Sequence, residues 1–334
     1  MRRRKFIGLF GSATSGVVLS WPQAAHGQQP EQVRRVGVLM AYTQDDAEAQ
    51  KYLSVFWDTL KQLGWTEGIN ISMTMHWAGS ELPEIEQAAK ELVKWRPGVI
   101  LSSSTPTTAA LLRATRTIPV VFAIVSDPIG SGFVSTFAKP GGNATGFTNL
   151  DASMGGKWLE LLKEIVPDVH EVGFLFNPAT ATYANFYMPS FISAGASLGI
   201  VARAAPVTND QDIEAVIASY GMVPHSGVVV MTDSFTSSHR EVIIRSAAQH
   251  RVPAVYPYRF FAQDGGLLAY GNNRVEPFRG AAGYVNRILH GERPGDLPVQ
   301  APTQFELVIN LKTAKALDLT VPPSVLARAD EVIE

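Results

Sequence analysis

The run Ser102-Ser103-Ser104-Thr105, within "SSSTPTT" (102–108), places four hydroxyls in a row immediately before a helical pattern. A helix N-terminus presents free backbone N–H groups and partial positive charge, and hydroxyls add donors, so such a run suits a carboxylate or another small anion. A plain N-cap needs only one of the four, and that reading stands beside the first. A second stretch, "FAIVSDPIGSGF" (122–133), breaks an apolar run with Ser126, Asp127 and Pro128. Ser126 and Asp127 either present a hydroxyl and a charge to a ligand, or Asp127 caps its own turn before proline. Asp233 poses the same choice, as a partner for a ligand ammonium or as an N-cap.

These residues share a position: each follows a segment that reads as a buried strand. The chain alternates strand and helix from residue 33 onward. Strands are expected at 33–40, 69–77, 98–103 and 118–125, with helices at 46–63, 82–95 and 105–115 between them. "KPGGNATGF" (139–147), rich in Gly and Pro, interrupts the rhythm. The alternation then restarts, with strands at 171–177, 200–207, 226–233 and 252–257 and helices at 153–166, 181–198, 210–220 and 236–250. A strand at 267–273, a helix at 275–290, a loop at 291–303 and a strand at 305–311 complete it. This grammar predicts an α/β fold: two similar lobes built on parallel sheets, with the chain crossing between them more than once. The expected boundaries are an N-terminal lobe of 33–147 plus about 272–299, and a C-terminal lobe of 148–271 plus about 300–334.

Open parallel sheets bind ligands beyond the carboxyl ends of their strands. That rule nominates Tyr42 and Thr43, then Ser103, Ser104 and Thr105, then Ser126 and Asp127. In the second half it nominates Asn177, Thr232 with Asp233, Tyr256, and Gly271. No lysine or arginine stands among these strand ends, which argues against a phosphorylated ligand. Ser103, Ser104 and Ser126 are expected to donate to a carboxylate. Asp127 or Asp233 would hold an ammonium, and Tyr42 and Tyr256 would flank an apolar or aromatic part.

Composition bounds the rest. The 334 residues are 46% hydrophobic and 17% charged, with a formal charge of −2, so a nucleic-acid partner is not expected. There is no cysteine, which excludes disulfides, thiolate metal sites and a cysteine nucleophile. No HExxH, GxSxG or Walker loop occurs, no GxGxxG follows the first strand, and the seven histidines lack metal-ligand spacing. Neither catalysis nor a metal or cofactor is therefore expected. "MRRRKFIGLFGSATSGVVLSWPQAAHGQQ" has a basic start, a moderate apolar stretch and small residues near 24–27, the pattern of an export signal over 1–27. Arg3-Arg4-Lys5-Phe6-Ile7 fits the twin-arginine form, with an ordinary secretory signal as the alternative. Taking Arg2, Arg3, Arg4 and Lys5 from the 28 basic residues leaves 24 against 30 acidic, a charge of −6 for the exported chain. Two α/β lobes behind an export signal describe a protein that binds in an interlobe cleft.

"RRVGVLM", "KQLGWTEGINI", "TIPVVFAIVSDPIGSGFVSTFAKPGGNATGF", "AVYPYRFFAQDGGLLAYG" and "PVQAPTQFELVINLKTAKALDLTVPPSVLARADEVI" resemble the ABC-transporter substrate-binding family that includes tryptophan- and tyrosine-binding lipoproteins. The resemblance implies a type I periplasmic-binding-protein architecture of two Rossmann-like lobes with a hinge of three crossings, the first of them served by the glycine-rich segment 141–146. It implies a small-molecule ligand captured by hinge closure, plus permease and ATPase partners, for a monomer working in the periplasm. It also implies a cleft carrying Tyr42, Ser103, Ser104, Ser126, Asp127, Asn177, Thr232, Asp233 and Tyr256. Amino acids, aromatic ones included, and aromatic acids are the expected ligands. A ligand sensor for a membrane receptor, or an enzyme on the same fold, is the alternative function.

Overall fold

The structure is a computed structural model and describes residues 33–334; the export-signal reading falls on residues outside these. The chain forms two sheets flanked by helices. The first is assembled from β1 (Arg34–Met40), β2 (Ile71–Trp77), β3 (Val99–Ser102), β4 (Val120–Val125) and β5 (Ala144–Thr148), in the order β2-β1-β3-β4-β5, all parallel. Helices α1 (Ala47–Gln62), α2 (Leu82–Lys94) and α3 (Thr105–Ala114) connect its strands. In α1 the apolar spacing puts Ala49, Leu53, Phe56 and Leu60 on one buried face, and Asp46 accepts from the Ala49 N–H as its cap. All six residues of β4 are buried, as befits a central strand covered on both faces.

After β5 the chain passes through 149–153 into α4 (Met154–Ile165) and the second lobe. There β6 (Glu171–Phe176), α5 (Ala184–Leu198), β7 (Val201–Pro206), α6 (Asp210–Gly221) and β8 (Ser226–Val230) follow in turn. Next come α7 (Ser234–Ser238), α8 (Arg240–Gln249), β9 (Ala254–Tyr256), α9 (Arg259–Gln263) and β10 (Leu268–Asn272). The chain then returns as α10 (Val275–Leu289), whose Phe278, Ala281 and Val285 are buried in the first lobe beside Val38 and Phe56. It crosses a third time into β11 (Phe305–Asn310), α11 (Leu311–Ala316), α12 (Pro323–Leu326) and β12 (Glu331–Ile333).

The second sheet runs β12-β11-β10-β9-β8-β6-β7. Its segment β7-β6-β8-β9-β10 repeats the 2-1-3-4-5 order of the first sheet, so each lobe is a doubly wound unit with one topological switch point. Only β11 runs antiparallel to its neighbour, at β10, among the described strands. The two-lobed α/β architecture expected from the alternation is the one observed.

Two local expectations need correction. The glycine-rich segment 141–146 is not the crossing, because β5 extends from Ala144 and pairs with β4. Gly146 permits that pairing: its φ is +150°, and a Cβ there would stand 2.0 Å from the Phe122 carbonyl oxygen. The helix expected over 236–250 is two helices that meet at His239.

Candidate functional site

The carboxyl ends of the strands in both sheets meet at one buried polar pocket. It is lined by Ser104 and Thr105 at the start of α3, Ser126 after β4 and Asn149 after β5. Tyr183, Thr232, Asp233, Ser234 and Tyr258 line it from the second lobe, and Arg274 at the start of α10 closes it. Both topological switch points contribute. At the first, the Ala41 N–H donates to Ser103 Oγ at 2.8 Å, tying the ends of β1 and β3. At the second, the Asn177 N–H donates to Asp233 Oδ2 at 3.2 Å, tying the ends of β6 and β8.

Most of the hydroxyls are consumed by the fold. Ser102 Oγ is within 2.8 Å of both Thr107 and Thr108 Oγ1. Ser104 caps α3, accepting from the Thr107 N–H in a capping box. Thr105 Oγ1 accepts from the Ser126 N–H at 3.1 Å and, as a hydroxyl, keeps a proton to donate. The serine run therefore serves mainly to fasten β3, α3 and β4 together. Only Ser104 and Thr105 of that run reach the pocket.

The stretch 122–133 divides at one peptide bond. Ser126 is buried, accepts from the Tyr187 hydroxyl at 3.0 Å and faces the pocket. Asp127 has φ +45° and turns away, and its Oδ1 accepts from the Gly130 N–H at 2.8 Å. Asp127 is thus the cap of its own turn and not a pocket carboxylate. Thr43 is exposed on the surface. Asn177 lies beside the pocket, with its Oδ1 accepting from the Ala179 N–H. Tyr256 is not in the pocket either: it stacks on Phe261 within the second core, 5.0 Å between centroids. Tyr258, two residues on, takes the place expected of it. Gly271 is a packing position, since a Cβ would stand 1.8 Å from the Pro257 carbonyl oxygen.

Three residues that strand-end reasoning passed over hold the centre. Asn149 donates to Thr232 Oγ1 and to the Tyr258 hydroxyl (2.8 Å), and its Oδ1 accepts from that same hydroxyl at 3.0 Å. It thereby ties the crossing after β5 to the second lobe. Tyr258 in turn lies under Arg274, whose guanidinium carbon is 4.2 Å from the ring centroid. The rings of Tyr52 and Tyr42 complete a cage at 5.4 and 5.7 Å. Arg274 follows β10 by two residues, and extending the strand-end rule past Tyr270-Gly271 finds it. The inference that no cation stands at a strand end is corrected accordingly.

Arg274 is 7% exposed; its Nε and Nη1 make no hydrogen bond of good geometry, and the Tyr42 hydroxyl beside it is the polar group that acts on it most strongly. The neighbouring arginines are paired, Arg240 with Asp46 and Arg259 with Glu306, but no ion pair includes Arg274 among the described residues. Asp233 lines the same pocket and is also the N-cap of α7, its Oδ1 accepting from the Phe235 N–H, so the capping alternative is the one observed. Burial raises its carboxyl from 3.8 to about 6, against hydrogen bonds from Thr180 and the Asn177 and Phe235 amides that lower it. One cation and one ionisable carboxyl thus line a single void without pairing to each other.

Buried polar atoms without partners are rare in folded proteins. Seven such side-chain atoms occur among the described residues, and six surround this place: Tyr42 Oη, Ser234 Oγ, both polar atoms of Asn272, and Arg274 Nε and Nη1. Two roomier grooves lie on the surface, one along Phe147, Tyr284 and Gln300, the other along Arg113, Phe133 and Phe186. Neither is lined by any of these atoms. The unmet hydrogen-bonding capacity, rather than the volume, locates the site.

Comparison with known proteins agrees with the two-lobed fold. The family model described as "ABC transporter substrate binding protein" matches residues 36–333. A tyrosine-binding protein of Clostridioides difficile is 26% identical over 265 residues, covering 79% of this chain and 75% of the relative. A conserved domain protein from Vibrio cholerae has 29% identity and a TM-score of 0.83, over 90% of this chain and 100% of that one. An ABC domain from Streptococcus pneumoniae solved in complex with L-Trp has 22% identity and the same TM-score, again over 90% and 100%. The chain therefore belongs to the ABC transporter substrate-binding protein family, and is a binding protein rather than an enzyme.

Proposed function

We propose that this protein is the extracytoplasmic ligand-capturing component of an ABC importer. Its interlobe pocket takes a small carboxylate-bearing ligand, an amino acid in the first instance, by hinge closure. The observation that carries this reading is Arg274, a buried guanidinium with unpaired N–H groups and no counter-ion. A carboxylate supplies the missing acceptors and the missing charge together. Two helix N-termini, of α3 and α10, lie at the same pocket and favour an anion there.

Asp233 sharpens the choice. A dianionic phosphate would meet a single cation with a carboxyl close by. A zwitterion instead places its carboxylate on Arg274 and its ammonium on Asp233, leaving the enclosed pocket neutral. The curated and structural relatives named for tyrosine and L-Trp make aromatic amino acids the first probes.

Contacts between the lobes support closure around the ligand. Ser126 meets Tyr187, Asn149 meets Thr232, and Asp46 of the first lobe pairs with Arg240 of the second at 2.8 Å. A thermal-shift screen of amino acids, aromatic acids, small carboxylates and neutral sugars tests the proposal. A ligand at a hundred times its Kd stabilises by about 2.7 kcal/mol. An amino acid is expected to give the largest rise in Tm. Stabilisation by a neutral sugar, with none by any acid, would overturn it.

A further inference from the structure

Behind Arg274 and Tyr258 lies a second small cavity, walled off from the pocket by those two side chains. Glu48, Tyr52, Phe260, Asn272, Asn273, Val275, Arg259 and Glu306 complete its lining. Asn272 is the last residue of β10 and is 2% exposed. Both its Nδ2 and its Oδ1 lack partners. An amide left empty on both sides at the end of a central strand is a costly feature, and its fellow orphans are the N–H groups of Arg274 on the shared wall.

We propose that this cavity is the distal subsite of the ligand pocket, and that Asn272 selects a side chain ending in a neutral group that both donates and accepts a hydrogen bond. This rests on the amino-acid reading of the pocket above. A phenolic hydroxyl or a carboxamide meets both free atoms of Asn272 at once. An apolar end meets neither, and a hydrogen-bonding site left unmet rejects such an analogue. A charged end is disfavoured because the carboxylates present are already engaged. Glu306 pairs with Arg259, and Glu48 pairs with Lys51 and accepts from the Tyr52 hydroxyl. The rings of Tyr52, Tyr258 and Phe260 flank the void, which suits a flat or slender apolar stem between the two ligand ends. Arg274 and Tyr258 line both cavities and must shift aside to admit that stem as the ligand carboxylate engages the guanidinium.

Isothermal titration of the full-length exported chain with two matched pairs tests this: L-tyrosine against L-phenylalanine, and L-glutamine against L-norleucine. The polar member of at least one pair is expected to bind about tenfold to a hundredfold more tightly, the range for a hydrogen bond in a buried site. Asn272→Leu, checked for an intact circular-dichroism spectrum, should erase that preference while retaining the apolar member. Equal affinities within both pairs overturn the subsite in the wild-type protein alone, whatever becomes of the variant. A preference that survives in Asn272→Leu overturns the role of Asn272. Binding by none of the four defeats the amino-acid reading itself, and the subsite with it.

Discussion

Arg274→Met separates two roles that the geometry assigns to one side chain. Where the two lobes meet, the guanidinium is 7% exposed, with two nitrogens unpartnered. The two unpartnered nitrogens cost about 1–3 kcal/mol each, while the desolvated Tyr258 face at 4.2 Å returns about 2 kcal/mol and the more distant Tyr52 and Tyr42 faces, at 5.4 and 5.7 Å, return less. The balance disfavours the empty closed state by about 2 kcal/mol, or about thirtyfold in the open–closed equilibrium. By this balance Arg274 should favour the open cleft, and a ligand carboxylate should reverse the sign by satisfying the same nitrogens. Methionine keeps most of the packing and removes both effects. Small-angle scattering should find unliganded Arg274→Met more compact than unliganded wild type. Calorimetry should find amino-acid binding lost. Two results would refute the reasoning: an unchanged radius of gyration in the empty variant, or retained affinity for the acid.

Two further predictions concern other groups. Arg240→Ala removes the partly buried pair with Asp46, which joins the lobes without lining the ligand pocket. It should weaken ligand binding about threefold to tenfold through faster dissociation, as expected for about 1 kcal/mol taken from the closed form; stopped-flow release kinetics would show it, and an unchanged off-rate would dismiss the pair as a latch. For Asp233, the folded protein holds its proton more tightly than the unfolded chain, so unliganded stability should fall as pH rises from 3.8 through about 6. Amino-acid affinity should move oppositely, strengthening as pH rises through 6 and the carboxylate becomes available to the ammonium. Asn at position 233 should flatten that profile, and an unaltered profile in Asp233→Asn would place the ammonium elsewhere.

Local pattern sufficed for much of this. The apolar runs at 34–40, 99–102 and 120–125 and the helical spacing between them specify strands and helices, because periodicity reports which faces are buried. The rule that parallel strands present ligands at their carboxyl ends then led to Ser104, Thr105, Ser126, Thr232 and Asp233, all of which line the pocket. The restart of the alternation after residue 147 pointed to two lobes, and family resemblance added the hinge of three crossings. What the chain could not disclose by itself was which hydroxyls were already spoken for. Ser103 is engaged by Ala41, sixty-two residues away in sequence, and Asp127 by a turn whose left-handed φ no periodicity shows. Tyr256 ends a strand of only three residues and Tyr258 follows it, and packing alone decides that the first enters the core and the second the pocket. Arg274 and Asn272 are ordinary in the string "YGNNR"; their meaning comes from burial without partners, which exists only once two sheets and a returning helix have closed around them. Sequence determined the elements and the strand ends that could meet a ligand. Tertiary structure decided which polar atoms remained unsatisfied there, because hydrogen-bond satisfaction depends on groups brought together from far along the chain.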